Sequence, residues 1–259
     1  MKTRVWLFFL LIVLASNRSV AQSSIAKDST EKMLRADKVL VVPFEDRMFF
    51  TDIMRELSQG SGMTPQEVIS SLRSGIVKSI GIKLSDAGSS TFLHPDSVDK
   101  ASLESIYEHL VYKFTPVRIS PKNPEKEPVG IHEGQVRTVR DTSTRYMACA
   151  FKDTEVLSKL STEIGVQKWI VLNQMEVRMD LSNPDLLATD PQYIVAIHYT
   201  ILDTKGSTIA GGLASRKFSQ GDHNIRLMMF ATFPDLAKTI VASEGKTKGT
   251  KAKEKKSAK

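Results

Sequence analysis

Two carboxylates, Glu45 and Asp46, follow directly on the apolar run "KVLVVPF" at 38–44. The end of a strand is where α/β proteins often place the residues of a site. Neighbours in sequence point their side chains apart, so a shared carboxylate dyad is not expected here. The role expected for Glu45 and Asp46 is contact with a partner. A second polar set lies in "KWIVLNQMEVRMD" at 168–180. Strict alternation puts Trp169, Val171, Met175, Val177 and Met179 on one face and Ile170, Leu172, Gln174, Glu176 and Arg178 on the other. The strand is therefore expected to begin buried on both faces. Its second half should project past its cover, so that Gln174, Glu176 and Arg178 meet solvent and can touch a partner.

Other chemistry finds little footing. The histidines are His94, His109, His132, His198 and His223. They show no H-E-x-x-H spacing and have no cysteine cluster beside them, so no metal centre or cofactor is expected. His198 alternates with Ala196 and Thr200 and reads as a partly exposed strand histidine. The single cysteine, Cys149, sits in "RYMACAF" and reads as a small buried hydrophobe. "GKT" at 245–247 lacks the rest of a phosphate loop, and no G-x-S-x-G elbow is present. No catalytic residue is assigned and the chain is not expected to be an enzyme. The rival reading is a secreted hydrolase with an atypical site, which would need Glu45, Asp46 and a distant histidine such as His94 to meet in one pocket.

The formal charge of +7 is concentrated at the two ends. Residues 1–21 carry +3 and residues 246–259 carry +6, leaving −2 for everything between. A near-neutral body gives no argument for a nucleic-acid partner. The basic end, "KTKGTKAKEKKSAK", holds Lys246, Lys248, Lys251, Lys253, Lys255, Lys256 and Lys259. It has too few apolar residues to fold and is expected to be disordered from 244 onward. One function open to it is contact with anionic envelope polymers.

The beginning, "MKTRVWLFFLLIVLASNRSVAQ", has a basic start, an apolar centre and a small-residue exit at Ser19-Val20-Ala21. That is the layout of a secretory signal peptide, with cleavage expected before Gln22. Its apolar centre is short against the roughly 20 residues that span a bilayer. No cysteine follows it to carry a lipid, and no transmembrane segment is expected in the mature chain.

Between these ends, residues 22–37 form a polar lead and 38–243 read as one α/β domain. "TPQE" at 64–67 is a capping box with proline at the first helical position. The helix after it buries Val68, Ile69, Leu72, Ile76 and Ile80. A second helix is expected over 100–113, a long exposed loop over 115–144, a strand in "RYMACAF", and a helix over 154–164 behind an Asp153 cap. "YIVAIHYTILDTKGSTIAGGLASRKF" at 193–218 reads as a hairpin with Gly206 in its turn and Tyr193, Val195, Ile197, Tyr199 and Ile201 on one apolar face. Gly211-Gly212 suggests a bulge or the close approach of a packed helix. Asp222 or Asn224 can cap a last helix that Pro234 would kink or restart. The fold class that follows is α/β, a mixed sheet with helices packed on it and an antiparallel hairpin at one edge.

Three stretches together resemble a family of envelope proteins: Val39 to Phe44, Ile164 to Gln174, and Leu202 to Ile209. They are similar to the early "VxxxPF"-like strand, the helix-to-strand passage and the "vDxxtGxvl"-like strand end of the TolB N-terminal domain, the curli-channel subunit CsgG and the lipoprotein activators of penicillin-binding proteins. "VPFEDRMFFTDI" also resembles secreted proteins of Bacteroidota. This sequence departs from the pattern at Asn173, where a glycine is usual, and in the extra 115–144 loop. The resemblance implies a non-enzymatic periplasmic or envelope protein, an assembly or regulatory subunit that binds a protein partner.

Overall fold

A computed structural model describes residues 37–88, 90–116, 130–132, 135–137, 145–180, 192–219 and 224–257. The stretches read as a signal peptide and a polar lead, and most of the one read as a long loop, lie outside the described residues.

The strand β1 (Asp37–Val42) is apolar at four consecutive positions and buried on both sides. Val39 and Val41 enter one core, Leu40 and Val42 another. Parallel to it lie β3 (Ser90–Leu93) on one side and β8 (Lys168–Met179) on the other. β8 then pairs antiparallel with β9 (Gln192–Asp203), and β9 with β10 (Thr208–Ser219), giving the order β10-β9-β8-β1-β3. The short β2 (Phe49–Thr51) extends β1's side of β8, with Phe50 in register with Glu176. The sheet is mixed and the hairpin is at its edge. Gly206 turns that hairpin at φ +77°, a conformation side-chain-bearing residues resist.

The first face is covered by three helices: α1 (Met54–Ser61), α2 (Pro65–Ala87) and α5 (Ile225–Ser257). Thr64 and Glu67 form the full capping box on α2, and Gly88 ends it in the left-handed conformation. Asn224 accepts from the Arg226 N–H at the start of α5. This core is apolar throughout, with Leu72, Ile76, Ile80, Ile197, Ile201 and Phe233 among its members.

The second face is built differently. It carries α3 (Lys100–His109), α4 (Thr154–Ile164), and a separate antiparallel pair of β4 (Leu110–Pro116) with β7 (Arg145–Phe151). Asp153 caps α4 through the Glu155 and Val156 N–H groups. Trp169, Val171, Leu157, Phe151, Cys149 and Ile106 share its core, and the Trp169 indole N–H donates to Ser161 Oγ at 2.9 Å.

Four expectations need correction. The helix from Lys100 stops at His109, because Leu110 onward is β4, paired with β7. A short strand pair, β5 (Gly130–His132) with β6 (Gln135–Arg137), lies within the stretch read as a loop. The last helix runs through Pro234 without a break and on to Ser257, so the lysine-rich end expected to be disordered is drawn as helix. Alanine and lysine are good helix formers, and cations near a helix C-terminus complement its dipole. Finally, the close approach in β10 is at Gly211: an added Cβ would stand 2.7 Å from the Tyr146 hydroxyl, whereas at Gly212 the nearest atom is 3.5 Å away. No helix among the described residues is long and apolar enough to cross a membrane.

Candidate functional site

The polar residues of β8 owe their direction to one irregularity. The β8–β9 register shifts between Leu172 and Gln174, which makes Asn173 an extra residue in β8. Alternation is therefore broken there. Ile170, Leu172, Met175 and Val177 all enter the first core, while Trp169 and Val171 enter the second. The expected face of Trp169, Val171, Met175, Val177 and Met179 does not exist, since a bulge flips every residue after it.

Gln174, Glu176 and Arg178 follow Asn173 on the second face, and they do not simply meet solvent. Gln174 is buried, the Glu176 side chain is 22% exposed and the Arg178 side chain 51%. Gln174 Nε2 donates to Glu176 Oε1 at 2.6 Å, and Arg178 Nε donates to Glu176 Oε2 at 3.2 Å. His198 on β9 faces the same carboxylate, Nε2 to Oε1 at 3.1 Å. Its hydrogen bond, more than any other influence, holds the Glu176 carboxyl below its ordinary range, against the desolvation that would raise it. His198 is buried, contrary to the partly exposed strand histidine expected.

What buries them is the free edge of β7. The Met147 N–H donates to His198 Nδ1 at 2.8 Å and the Cys149 N–H to Thr200 Oγ1 at 3.1 Å. Asn173 Nδ2 donates to the Met147 carbonyl at 2.7 Å and to Thr200 Oγ1 at 2.8 Å. Three side chains thus do for β7 what a neighbouring strand would do. Asn173 Oδ1 is buried and accepts nothing among the described residues. Burial pushes the Cys149 thiol up to about 12, so it stays protonated and inert near neutrality.

Glu45 and Asp46 form the other polar group, just past β1. β3 and β8 flank β1 on opposite sides, so the chain reaches them in opposite directions from this point. As expected for adjacent residues, the two carboxylates diverge. Glu45 accepts from Arg47 at 2.9 Å and from the Tyr112 hydroxyl of β4 at 3.2 Å. Asp46 accepts from Arg73 Nη1 and Gln66 Nε2 of α2, both at 2.6 Å. The Tyr107 hydroxyl of α3 closes the group, donating to the Pro43 carbonyl at 2.8 Å and accepting from Arg73 at 3.4 Å. Burial raises the Tyr107 phenol to about 12 and raises Tyr112 as well, so both remain neutral donors. Both layers of helices are laced together around the strand end.

Among the described residues no hydrogen bond or ion pair joins Glu45 or Asp46 to Gln174, Glu176 or Arg178. His94, required by the hydrolase reading, faces Asp96 and Phe92 instead of either carboxylate. Arg73, Tyr107, Tyr112 and His198 were not singled out by sequence as members of these groups. The one local signal that could have found His198 is its even spacing with Thr200, two polar positions inside an apolar hairpin.

These features define an α/β domain whose polar centre lies between a mixed sheet and a strand pair standing on it. No family model matches the chain, and no curated protein matches it. Solved structures give low-scoring likenesses. Lipoprotein GNA1162 from Neisseria meningitidis is 13% identical over 75% of this chain and 92% of that one, with a TM-score of 0.33. The hypothetical protein CT253 from Chlamydia trachomatis is 12% identical over 82% and 98%, with a TM-score of 0.39. The C-terminal domain of LpoB from Salmonella enterica is 11% identical over 72% and 90%, with a TM-score of 0.26. Likeness at this level transfers no activity or partner.

Proposed function

We propose that the chain is a non-enzymatic protein of the bacterial envelope, exported by its signal peptide, that works by binding a protein partner. The observation that carries this reading is the surface at β2 and β8. Phe50 stands half exposed in register with Glu176, whose carboxylate is held by Gln174 and His198 and in turn holds Arg178. An exposed aromatic within a fixed polar rim is the composition of a contact surface. The carboxylates are committed to arginines, glutamines, one tyrosine and one histidine, which suits positioning better than proton transfer. Glu45 and Asp46 belong to the same proposal as the frame that shapes this end of the sheet.

Site-directed photo-crosslinking in cells tests it. A crosslinkable residue at position 50 or 178 should give one discrete adduct in the envelope fraction, and one at Lys159, on the exposed side of α4, should give none. Equal labelling from all three positions would remove the proposal. Export has its own readout: the intact mass of the exported protein should begin at Gln22. The lysines from Lys246 to Lys259 are proposed as an auxiliary contact with envelope polyanions, tested by salt-sensitive retention that vanishes when 246–259 are deleted.

A further inference from the structure

The seat of β7 depends on the protonation of one ring. A backbone N–H can only donate, so the Met147 contact requires His198 Nδ1 to be bare. The ring proton then sits on Nε2, facing Glu176 Oε1. Of the three side chains that receive β7, Thr200 and Asn173 are indifferent to pH in the ordinary range. His198 is not.

We infer that the β4–β7 pair is seated by a histidine latch that acid opens: a proton entering His198 Nδ1 turns an acceptor into a donor aimed at the Met147 N–H, and the free edge of β7 lifts from β8 and β9.

Of the charged side chains, Glu176 of β8 faces the ring directly, and Arg178 holds the other oxygen of that carboxylate. Arg145 of β7 and Lys113 of β4 belong to the strand pair itself, and Lys217 of β10 is ion-paired with Asp180. Glu176 attracts a proton to the ring, and that proton is the one already on Nε2. A second has to enter at Nδ1, which lies 2.8 Å from a backbone nitrogen whose hydrogen points at it. The seated state cannot take it without breaking the contact, while the released state takes it freely. Seating is therefore favoured while the ring is neutral and weakens as acid supplies the second proton. Glu176 acts in the same direction at lower pH, because its carboxyl is held below the ordinary value and its contribution disappears only on protonation.

Amide hydrogen exchange of the full chain, read by NMR as protection factors, tests the latch. On acidification from about pH 7.5, protection at Met147 and Cys149 should fall, by up to about tenfold per pH unit, while Ile170 and Ile201 hold. In His198→Asn, an amide oxygen that does not titrate stands near the Nδ1 position, and the pH dependence should vanish. Should that variant not fold, the ring-nitrogen shifts of the unmodified protein decide: Nδ1 bare and Nε2 protonated near pH 7.5 is the expected state. Protection at Met147 that is flat with pH, or a protonated Nδ1 at neutral pH, would overturn the inference.

Discussion

The two faces of the sheet solve the same burial problem by different chemistry. The first is closed by helices, whose backbones are satisfied internally, so its strands need no polar side chain to complete a neighbour's backbone and present mainly aliphatic and aromatic ones. The second is closed partly by a strand standing on its edge, and an edge brings unpaired N–H and C=O groups with it. Asn173, His198 and Thr200 are polar because they must complete those groups. What covers a sheet decides what its residues can be.

The difference predicts a ranking of substitutions. Leu72→Ala, deep in the helix-covered face, should cost about 2–5 kcal/mol by chemical denaturation. Thr200→Val keeps the volume but removes the acceptor used by both Cys149 and Asn173, and should cost about 1–3 kcal/mol. Its neighbour Ile201→Val, facing the other way, should cost only about 0.5–1.5 kcal/mol. If Thr200→Val were neutral, the contrast between the faces would collapse.

Further changes sharpen the same contrast. Gly211→Ala meets the Tyr146 hydroxyl of β7 and should cost about 1–3 kcal/mol, with Gly212→Ala markedly milder. Melting curves of the pair decide whether β7 lies where the contacts place it. Deleting 246–259 should change stability by less than about 0.5 kcal/mol, since its lysine-rich sequence has no large apolar side chain to bury. A large loss on deletion would mean that this end of α5 is docked.

Much of the helix-covered face was legible from residue order alone. The capping box at Thr64, the spacing of Leu72, Ile76 and Ile80, and the odd-numbered apolar face of β9 follow from local periodicity, and all appear as expected. The second face resisted because its logic is long-range. Nothing near Leu172 announces that Asn173 is an extra residue, since a bulge is set by pairing with β9. Once that shift is missed, Met175 and Val177 fall on the wrong side. His198 looked exposed for the same reason: its cover, β7, lies 51 residues away in sequence. Glu45 and Asp46 were found by position, yet their partners Arg73 and Tyr112, and the Tyr107 that bonds Arg73, come from three other elements. The α/β class survived these misses because it rests on element order.

The account stands most directly on the claim that side chains of β8 and β9 complete the free edge of β7. Amide exchange at about pH 7.5 measures this residue by residue. Met147 and Cys149, which β4 leaves unpaired, should be protected to the level of their β7 neighbours Ala148 and Ala150. Exchange of Met147 and Cys149 at the rate of an open strand edge would contradict it.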